Sequence, residues 1–195
     1  MSKNKKVSRQ NKIPAMIILG AGLILLGMAA FIAWPKAETS ATEAPLAGGS
    51  LTVPVEVRYE APYLGLSDLD GMEHELTDHL GEVVLVNLWA TWCPPCKAEM
   101  PTLEAYYQAH QTDGFVTIAV NDGDPSENVA DFVQEYGLSF QVWLDPTYQA
   151  TDVAFKTRNL PSSFVIDREG YVRLRWVGEI DRVALEKYVT PLILE

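Results

Sequence analysis

The sequence predicts an α/β domain, in which helices flank a central mixed β-sheet on both faces, preceded by one transmembrane helix. Apolar stretches of strand length alternate with helical patterns, and the chain closes with a hairpin and a last helix. A run without any charged residue, from Ile13 to Trp34, predicts the membrane helix. The predicted regions are a basic tail (1–12), the membrane helix (13–34), a linker (35–52) and the folded domain (53–195).

The uncharged run is long enough to cross a bilayer. At about 1.5 Å per residue, a helix over residues 13–34 matches the thickness of the hydrocarbon core. Lys and Arg residues but no acid precede it, so we expect the tail to stay cytoplasmic as part of a signal anchor. The domain would then be extracytoplasmic, in the periplasm or on the outer face of the cell (inner) membrane. A cleaved signal peptide is the alternative, but its apolar region normally spans only about 7–15 residues, so we favour an uncleaved single-pass anchor.

Composition separates the linker from the domain and argues against binding to polyanionic partners. The linker is small and polar, with Pro and Gly, which indicates a flexible tether. The chain has a net charge of −11, and all 26 of its acidic residues follow residue 37. Such an acidic domain is not expected to bind nucleic acid or anionic lipid through bulk electrostatics.

Strands dominate the first part of the domain. Val53–Tyr59 is predicted to be a short strand, two more flank a turn at Asp70–Gly71, and Thr77 is placed to cap a brief helix. Two uninterrupted apolar runs, Val83–Ala90 and Phe115–Val120, are typical of strands in the middle of a sheet.

Helical periodicity, caps and turn residues predict the remaining elements. Strand–helix–strand crossings followed by a hairpin indicate the mixed sheet. The elements are helices at 94–110, 126–137 and 147–155, a strand at 140–145, a hairpin around the 168–170 turn, and a final helix capped by Asp181 that ends near Leu194.

Cys93 and Cys96 are the two cysteines of the chain, and three uses compete for them. A structural disulfide across so short a loop would stabilise little, since the stabilising effect grows with loop length. A zinc site needs about four ligands, whereas the domain offers two cysteines and three scattered histidines without a second cysteine pair. A redox dithiol fits the pair better, so no metal or other cofactor is expected.

The position of the pair at the start of a predicted helix favours thiol chemistry. Backbone N–H groups and the helix dipole stabilise a thiolate on Cys93, which is expected to be exposed. Cys96, one turn further along, is placed to attack a mixed disulfide held on Cys93. Pro94 and Pro95 are tolerated at a helix start, yet they remove two N–H donors that could reach the Cys93 sulfur. The thiolate is then less stabilised, which indicates a more reducing couple.

The motif WATWCPPC, with NLPSSFVID downstream, resembles the thioredoxin superfamily. The similarity spans about residues 60–195 and lies with the membrane-anchored extracytoplasmic branch, the thiol–disulfide oxidoreductases of the ResA/TlpA (CcmG-like) type. It implies a thioredoxin-like fold with an N-terminal extension and a central αβ insertion. It also implies disulfide exchange with other proteins, without a cofactor.

Several roles follow from this resemblance by position. Cys93 resembles the attacking thiol of the family and Cys96 the resolving thiol. Pro101 matches the proline that kinks the active-site helix. Pro161 matches the proline held in cis beside the dithiol, where the Leu160 backbone faces the sulfurs and pairs with a substrate strand. Without the resemblance, a trans Pro161 that begins an edge strand fits the sequence equally well.

Aromatic and charged neighbours of the pair have simpler alternatives. Trp92 directly precedes the nucleophile and is expected to offer a flat docking surface to a partner chain, the alternative being a packed aromatic. Trp89 is expected in the core, and Lys97 on a solvated helix face. The candidate substrate contacts are therefore Trp92, Pro94, Pro95, Leu160 and Pro161.

The chain departs from cytoplasmic thioredoxins at a proton-handling position. Those proteins place a buried Asp six residues before the first Cys, where this chain has Asn87, which cannot titrate. Glu99, three residues after Cys96, is the nearest replacement, and the ResA-like branch has its acid at the same spacing. A partly buried Glu99 would have a raised pKa and could exchange a proton with Cys96. The alternative is a Glu that only interacts with the helix dipole.

These features predict a membrane-anchored reductase of extracytoplasmic protein disulfides. The resemblance implies the haem-binding CxxCH of apocytochrome c as a client, and a transmembrane thiol donor of the CcdA or DsbD kind as the source of electrons. A general or oxidising exchange protein is one alternative, and a non-catalytic binding module on a thioredoxin scaffold is another. A peroxiredoxin is disfavoured, because the Pro-x-x-x-Thr-x-x-Cys arrangement is absent around Cys93.

Overall fold

The computed structural model describes residues 53–195, which form a single sheet of eight strands with helices packed against it. The strands are β1 Val55–Glu60, β2 Gly65–Asp68, β3 Glu73–Glu75, β4 Val83–Trp89, β5 Phe115–Asp122, β6 Gln141–Asp145, β7 Ser162–Ile166 and β8 Tyr171–Val177. The helices are α1 Pro94–His110, α2 Ser126–Tyr136, α3 Arg182–Tyr188 and α4 Thr190–Leu194, with 3₁₀ turns at Leu76–His79 and Gln111–Asp113 and a π-helical segment at Gln149–Ala154.

The strand order β1-β8-β7-β4-β5-β6-β2-β3 confirms the predicted mixed sheet. Strands β4, β5 and β6 are parallel neighbours, whereas β7 runs antiparallel to both β4 and β8. Strand β1 pairs with β8 at one edge, and the β2–β3 hairpin extends the other edge by pairing with β6. Every residue of β4 is buried, as expected for a central strand that is covered on both faces.

Helices cover both faces of the sheet, as the sequence predicts, but all four α-helices lie on the same face. One buried cluster combines Leu85 and Trp89 of β4 with residues from all four α-helices. The opposite cluster, which includes Val84 and Val86, is covered by the 3₁₀ turn after β3 and by the π-helical segment. The β4–α1–β5 and β5–α2–β6 crossovers advance in the same direction across the sheet, so the preferred handedness puts both helices on one face.

The brief helix after β3 begins two residues earlier than predicted. Glu75, not Thr77, is its cap: the Glu75 N–H donates to the Asp78 carboxylate at 2.8 Å. Thr77 lies inside the turn, where its hydroxyl donates to the Glu75 carboxylate at 3.1 Å.

The final helix is divided in two. Asp181 caps α3 as predicted, because its carboxylate accepts from the Ala184 N–H at 2.7 Å. The helix is interrupted at Val189, and α4 then starts at Thr190. Pro191 explains the interruption, since it has no N–H to donate to the carbonyl one turn before it.

Several loops meet at the end of the sheet where β4 and β5 finish and β7 starts. Leu88, near the end of β4, pairs with Ser162 at the start of β7, and Trp89 lies opposite Asn121 near the end of β5. Three segments therefore converge at this end of the sheet: the loop that leads to the two cysteines, the loop after β5 and the peptide before β7.

The predicted tail, membrane helix and linker lie outside the described residues. Across residues 53–195, none of the helices combines the length and the apolar composition that a membrane crossing requires.

Candidate active site

The cysteine pair forms a disulfide at the N-terminus of α1. Cys93 is the N-cap residue, with an extended backbone, and its Cα lies 5.3 Å from that of Cys96. Pro94 and Pro95 fill the first two helical positions, so neither can donate an N–H. The Cys96 N–H is the first donor that the helix offers, and it points to the Cys93 Sγ at 3.3 Å.

Neither sulfur is open to solvent in this disulfide form. Cys93 is 3 % exposed, and Cys96 is fully buried. The expectation of an exposed nucleophile is therefore wrong for the oxidised chain, because the disulfide holds the Cys93 side chain against the first turn of α1. Cys93 is still the more accessible of the two, which agrees with the order of attack that the family resemblance implies.

The rim of the site is formed by residues before and after Cys93. Trp92 is 67 % exposed, which favours a docking role over a packed aromatic. Pro94 and Pro95 are also exposed. In contrast, Trp89 is fully buried with its ring 4.6 Å from that of Phe132, as predicted for a core residue.

The peptide between Leu160 and Pro161 is cis, as the resemblance implies. Pro161 is buried, and its carbonyl accepts from the Gly178 N–H at 2.8 Å. Leu160 is half-buried and packs against the cluster that contains both cysteines. The structure thus brings this peptide to the dithiol end of the sheet, as the predicted substrate-binding role requires.

Glu99 is fully buried on α1, deeper than the sequence predicts. Its Oε1 accepts from the Asn87 Nδ2 at 2.7 Å, and its Oε2 accepts from the Ile180 N–H at 3.0 Å. Burial raises the pKa of Glu99 to about 8; the two hydrogen bonds act to lower the pKa, and the negative charge of Glu179 acts to raise it. At neutral pH this carboxyl is therefore mostly protonated.

Asn87 lies on β4 and links this strand to β7 and to α1 beneath the site. It occupies the position where cytoplasmic thioredoxins carry an acid, and its Nδ2 donates to Ser163 Oγ at 2.9 Å as well as to Glu99. Its Oδ1 is buried and has no hydrogen-bond partner within the described part of the chain. The sequence indicates only that Asn87 cannot titrate; that it binds the replacement acid is visible only in the fold.

Sequence reasoning missed one carboxylate that contacts the dithiol loop. Asp124, in the loop after β5, accepts from the Thr91 N–H at 2.7 Å. Thr91 lies 33 positions earlier in the chain, so no local pattern could have indicated the contact.

Other predicted features of the site are placed as follows. Lys97 is exposed, with its Nζ 6.0 Å from the centre of the Phe132 ring. Pro101 lies inside α1, which continues past it. Within residues 53–195, no group of three or more His, Cys, Asp or Glu side chains is arranged to hold a metal ion.

Comparison with known proteins agrees with this geometry. The model of the AhpC/TSA family matches residues 57–175, which is more than half of the chain. The chain belongs to this family. A thiol-disulfide oxidoreductase ResA of Geobacillus thermodenitrificans is 38% identical over 138 residues, which cover 71% of this chain and 79% of that protein. The ResA of Bacillus subtilis is 39% identical over 130 residues, covering 67% and 72% of the two chains.

Solved structures support the same assignment. The chain superposes with a TM-score of 0.66 on a crystal structure assigned as the thiol:disulfide interchange protein DsbE of Chlorobium tepidum. The two are 30% identical, over 71% of this chain and 99% of the other. The thioredoxin-like fold and the predicted resemblance to ResA proteins are confirmed, and the chain is a thiol–disulfide oxidoreductase.

Proposed function

We propose that this oxidoreductase reduces disulfides of extracytoplasmic proteins through Cys93 and Cys96, while an N-terminal helix anchors it to the membrane. The observation that carries the proposal is that, within residues 53–195, the Cys96 N–H is the one donor seen at the Cys93 sulfur. With two prolines in place of donors, the thiolate is weakly stabilised, so the reduced pair gives up its electrons readily.

The exchange proceeds in two steps. The Cys93 thiolate attacks one sulfur of the client disulfide, which forms a mixed disulfide and releases the other client sulfur as a thiolate. The Cys96 thiolate then attacks the Cys93 sulfur, which frees the second client sulfur and leaves the Cys93–Cys96 disulfide. Two electrons pass to the client, and the protons lost by the two cysteines equal those that the client thiols gain.

Glu99 supplies a proton carrier for the buried thiol. Cys96 has no solvent-exposed surface, so its proton must move through the protein. Glu99 lies three residues further along α1, close to one helical turn away, and its raised pKa lets it both accept and return a proton near neutral pH. We expect Glu99→Gln to change the pH profile of Cys96 alkylation in the reduced chain. An unchanged profile would remove this role.

The site of action follows from the first part of the sequence. The uncharged run over residues 13–34 and the basic residues before it support a signal anchor with the domain extracytoplasmic. Fractionation of cells that make the full-length chain tests this directly. The chain should stay with the membrane fraction, and recovery in a soluble fraction would contradict the anchor.

A client and an electron source complete the cycle. ResA-type resemblance supports the disulfide of an apocytochrome c CxxCH segment as client and cytochrome maturation as the process. Each turnover leaves the chain oxidised, so a transmembrane dithiol protein of the CcdA or DsbD kind would have to return two electrons to Cys93–Cys96.

The direction of exchange is tested by equilibrating the full-length chain with glutathione or dithiothreitol buffers. A reductase should have a potential near that of thioredoxin, roughly −270 mV, whereas a potential near roughly −120 mV would indicate an oxidant. Cysteines that never cycle would leave only a binding module.

Clients are identified by trapping. Cys96→Ala should accumulate mixed disulfides on Cys93. Cys93→Ala is the matched control, because the remaining Cys96 is buried and should capture nothing. Equal capture by both variants would contradict the assigned order of attack.

A further inference from the structure

The turn that leads into the dithiol is held by a hydrogen bond to a residue from another loop. The Cys93 N–H donates to the Ala90 carbonyl at 3.2 Å, which closes a four-residue turn with Thr91 and Trp92 at its corner. The Thr91 N–H points away from this turn and donates to Asp124 Oδ2 at 2.7 Å. A short hydrogen bond to a carboxylate is among the stronger ones that a backbone N–H can make.

Asp124 is itself held to the sheet by Asn121. The Asn121 Nδ2 donates to Asp124 Oδ2 at 2.9 Å, and the Asp124 N–H donates to Asn121 Oδ1 at 3.0 Å. Asn121 is buried near the end of β5, opposite Trp89 of β4. The carboxylate is therefore positioned relative to the two central strands and not only within its loop.

The loop around Asp124 is also fixed on its far side. Gly123 has a left-handed backbone (φ +84°), and an added Cβ would lie 2.6 Å from the Tyr148 hydroxyl. The neighbouring Asp122 Oδ1 accepts from the Thr151 hydroxyl at 2.9 Å. The loop thus has little freedom to move away from the Thr91 N–H.

We propose that Asp124, braced by Asn121, is a positioning residue for disulfide exchange: it fixes the Ala90–Cys93 turn and thereby the orientation of Trp92 and Cys93 toward a partner protein. The inference rests on the proposed function, because it assigns the turn to the binding of a client. Asp124 acts through the Thr91 N–H and not through contact with the sulfurs. Its effect should therefore fall on reactions in which geometry matters.

The test compares three full-length variants in reduction of a disulfide-bonded protein and of a small disulfide reagent. Asp124→Ala removes the acceptor, Asp124→Asn keeps an oxygen acceptor without the charge, and Asp131→Asn removes one exposed acid from α2 as a control. We expect Asp124→Ala to lose roughly tenfold in kcat/KM toward the protein disulfide, since a charge-assisted hydrogen bond is lost. The rate with the small reagent should change much less. Asp124→Asn should recover most of the activity, and Asp131→Asn should match the wild type.

Two results would overturn the inference. Wild-type kcat/KM in Asp124→Ala would show that the contact positions nothing. An Asp124→Asn rate as low as that of Asp124→Ala, restored by changing the salt concentration, would show that charge and not the hydrogen bond matters. If the wild type itself reduces neither substrate, the proposed function fails instead.

A measurement on the wild type keeps the inference testable if Asp124→Ala does not fold. The Thr91 amide should exchange with solvent slowly, because its N–H is hydrogen-bonded to the Asp124 carboxylate at 2.7 Å. Rapid exchange of the Thr91 amide in the wild type would show that the turn is not fixed, and the inference would fall.

Discussion

Replacing Glu99 should alter how the stability of the oxidised chain depends on pH. In the unfolded chain a Glu titrates near its ordinary pKa of 4.5, whereas in the fold burial raises the pKa of Glu99 to about 8. Between these values the folded chain holds a proton that the unfolded chain has lost. This difference destabilises the folded chain, and the loss in the free energy of unfolding grows as the pH rises from about 4.5 to about 8.

The magnitude follows from the width of the window. Each pKa unit corresponds to about 1.4 kcal/mol, so the wild type should lose roughly 3 kcal/mol between pH 5 and pH 8, after allowance for partial titration at both ends. Glu99→Gln lacks the titrating group. Its amide fits the site, because the Asn87 side chain can turn its unpartnered Oδ1 toward the new donor while Ile180 N–H keeps a carbonyl acceptor.

The assay is urea unfolding of the oxidised full-length wild type and Glu99→Gln at pH 5 and pH 8. The contributions of all other titrating groups cancel in the difference between the two free energies of unfolding. From pH 5 to pH 8 this difference should shift by roughly 3 kcal/mol in favour of the variant. Glu104→Gln is a control on the same helix. Burial there acts to raise the pKa of Glu104, but hydrogen bonds from Ser139 outweigh it and the pKa is lowered. Its difference from the wild type should stay nearly constant above pH 5. A constant difference for Glu99→Gln would refute the reasoning.

Three further predictions concern the loops and the rim of the site. Gly123→Ala should destabilise the chain by about 2 kcal/mol in thermal unfolding, because the backbone has a positive φ and the new Cβ would contact the Tyr148 hydroxyl. Gly71→Ala is the control: its φ is also positive, at +79°, but the space around it is open, so it should lose only about half as much stability. Pro95→Ala restores one N–H at the start of α1 and should raise the reduction potential by about 30 mV through better stabilisation of the thiolate, and an equal or lower potential would contradict this. Trp92→Ala should raise KM for a protein disulfide about tenfold while the potential stays the same, and a changed potential with unchanged KM would contradict a docking role.

Local patterns in the sequence were sufficient for the strands, for α1 and for the position of the cysteines. The apolar run of β4 and the paired prolines after Cys93 act within a few residues, so periodicity and helix-start preferences indicate them. The division of the last helix also had a local signal in Pro191.

The polar interior of the site could not be predicted in the same way. Glu99 receives one hydrogen bond from Asn87, 12 positions away, and another from Ile180, 81 positions away. The Thr91–Asp124 contact likewise joins two loops that only the parallel pairing of β4 and β5 brings together. The depth of a charged residue and its partners depend on the whole fold, whereas single-sequence patterns report only neighbours along the chain.

The near-complete enclosure of the oxidised sulfurs has a kinetic consequence. Thiol–disulfide exchange depends on access as well as on potential, and Cys93, at 3 % exposure, offers a small thiol in solution very little surface to attack. On the proposed function, a protein that docks on Trp92 would hold its own sulfur near the pair long enough to react. We therefore expect the pair to equilibrate slowly with a small-thiol redox buffer and faster with protein partners.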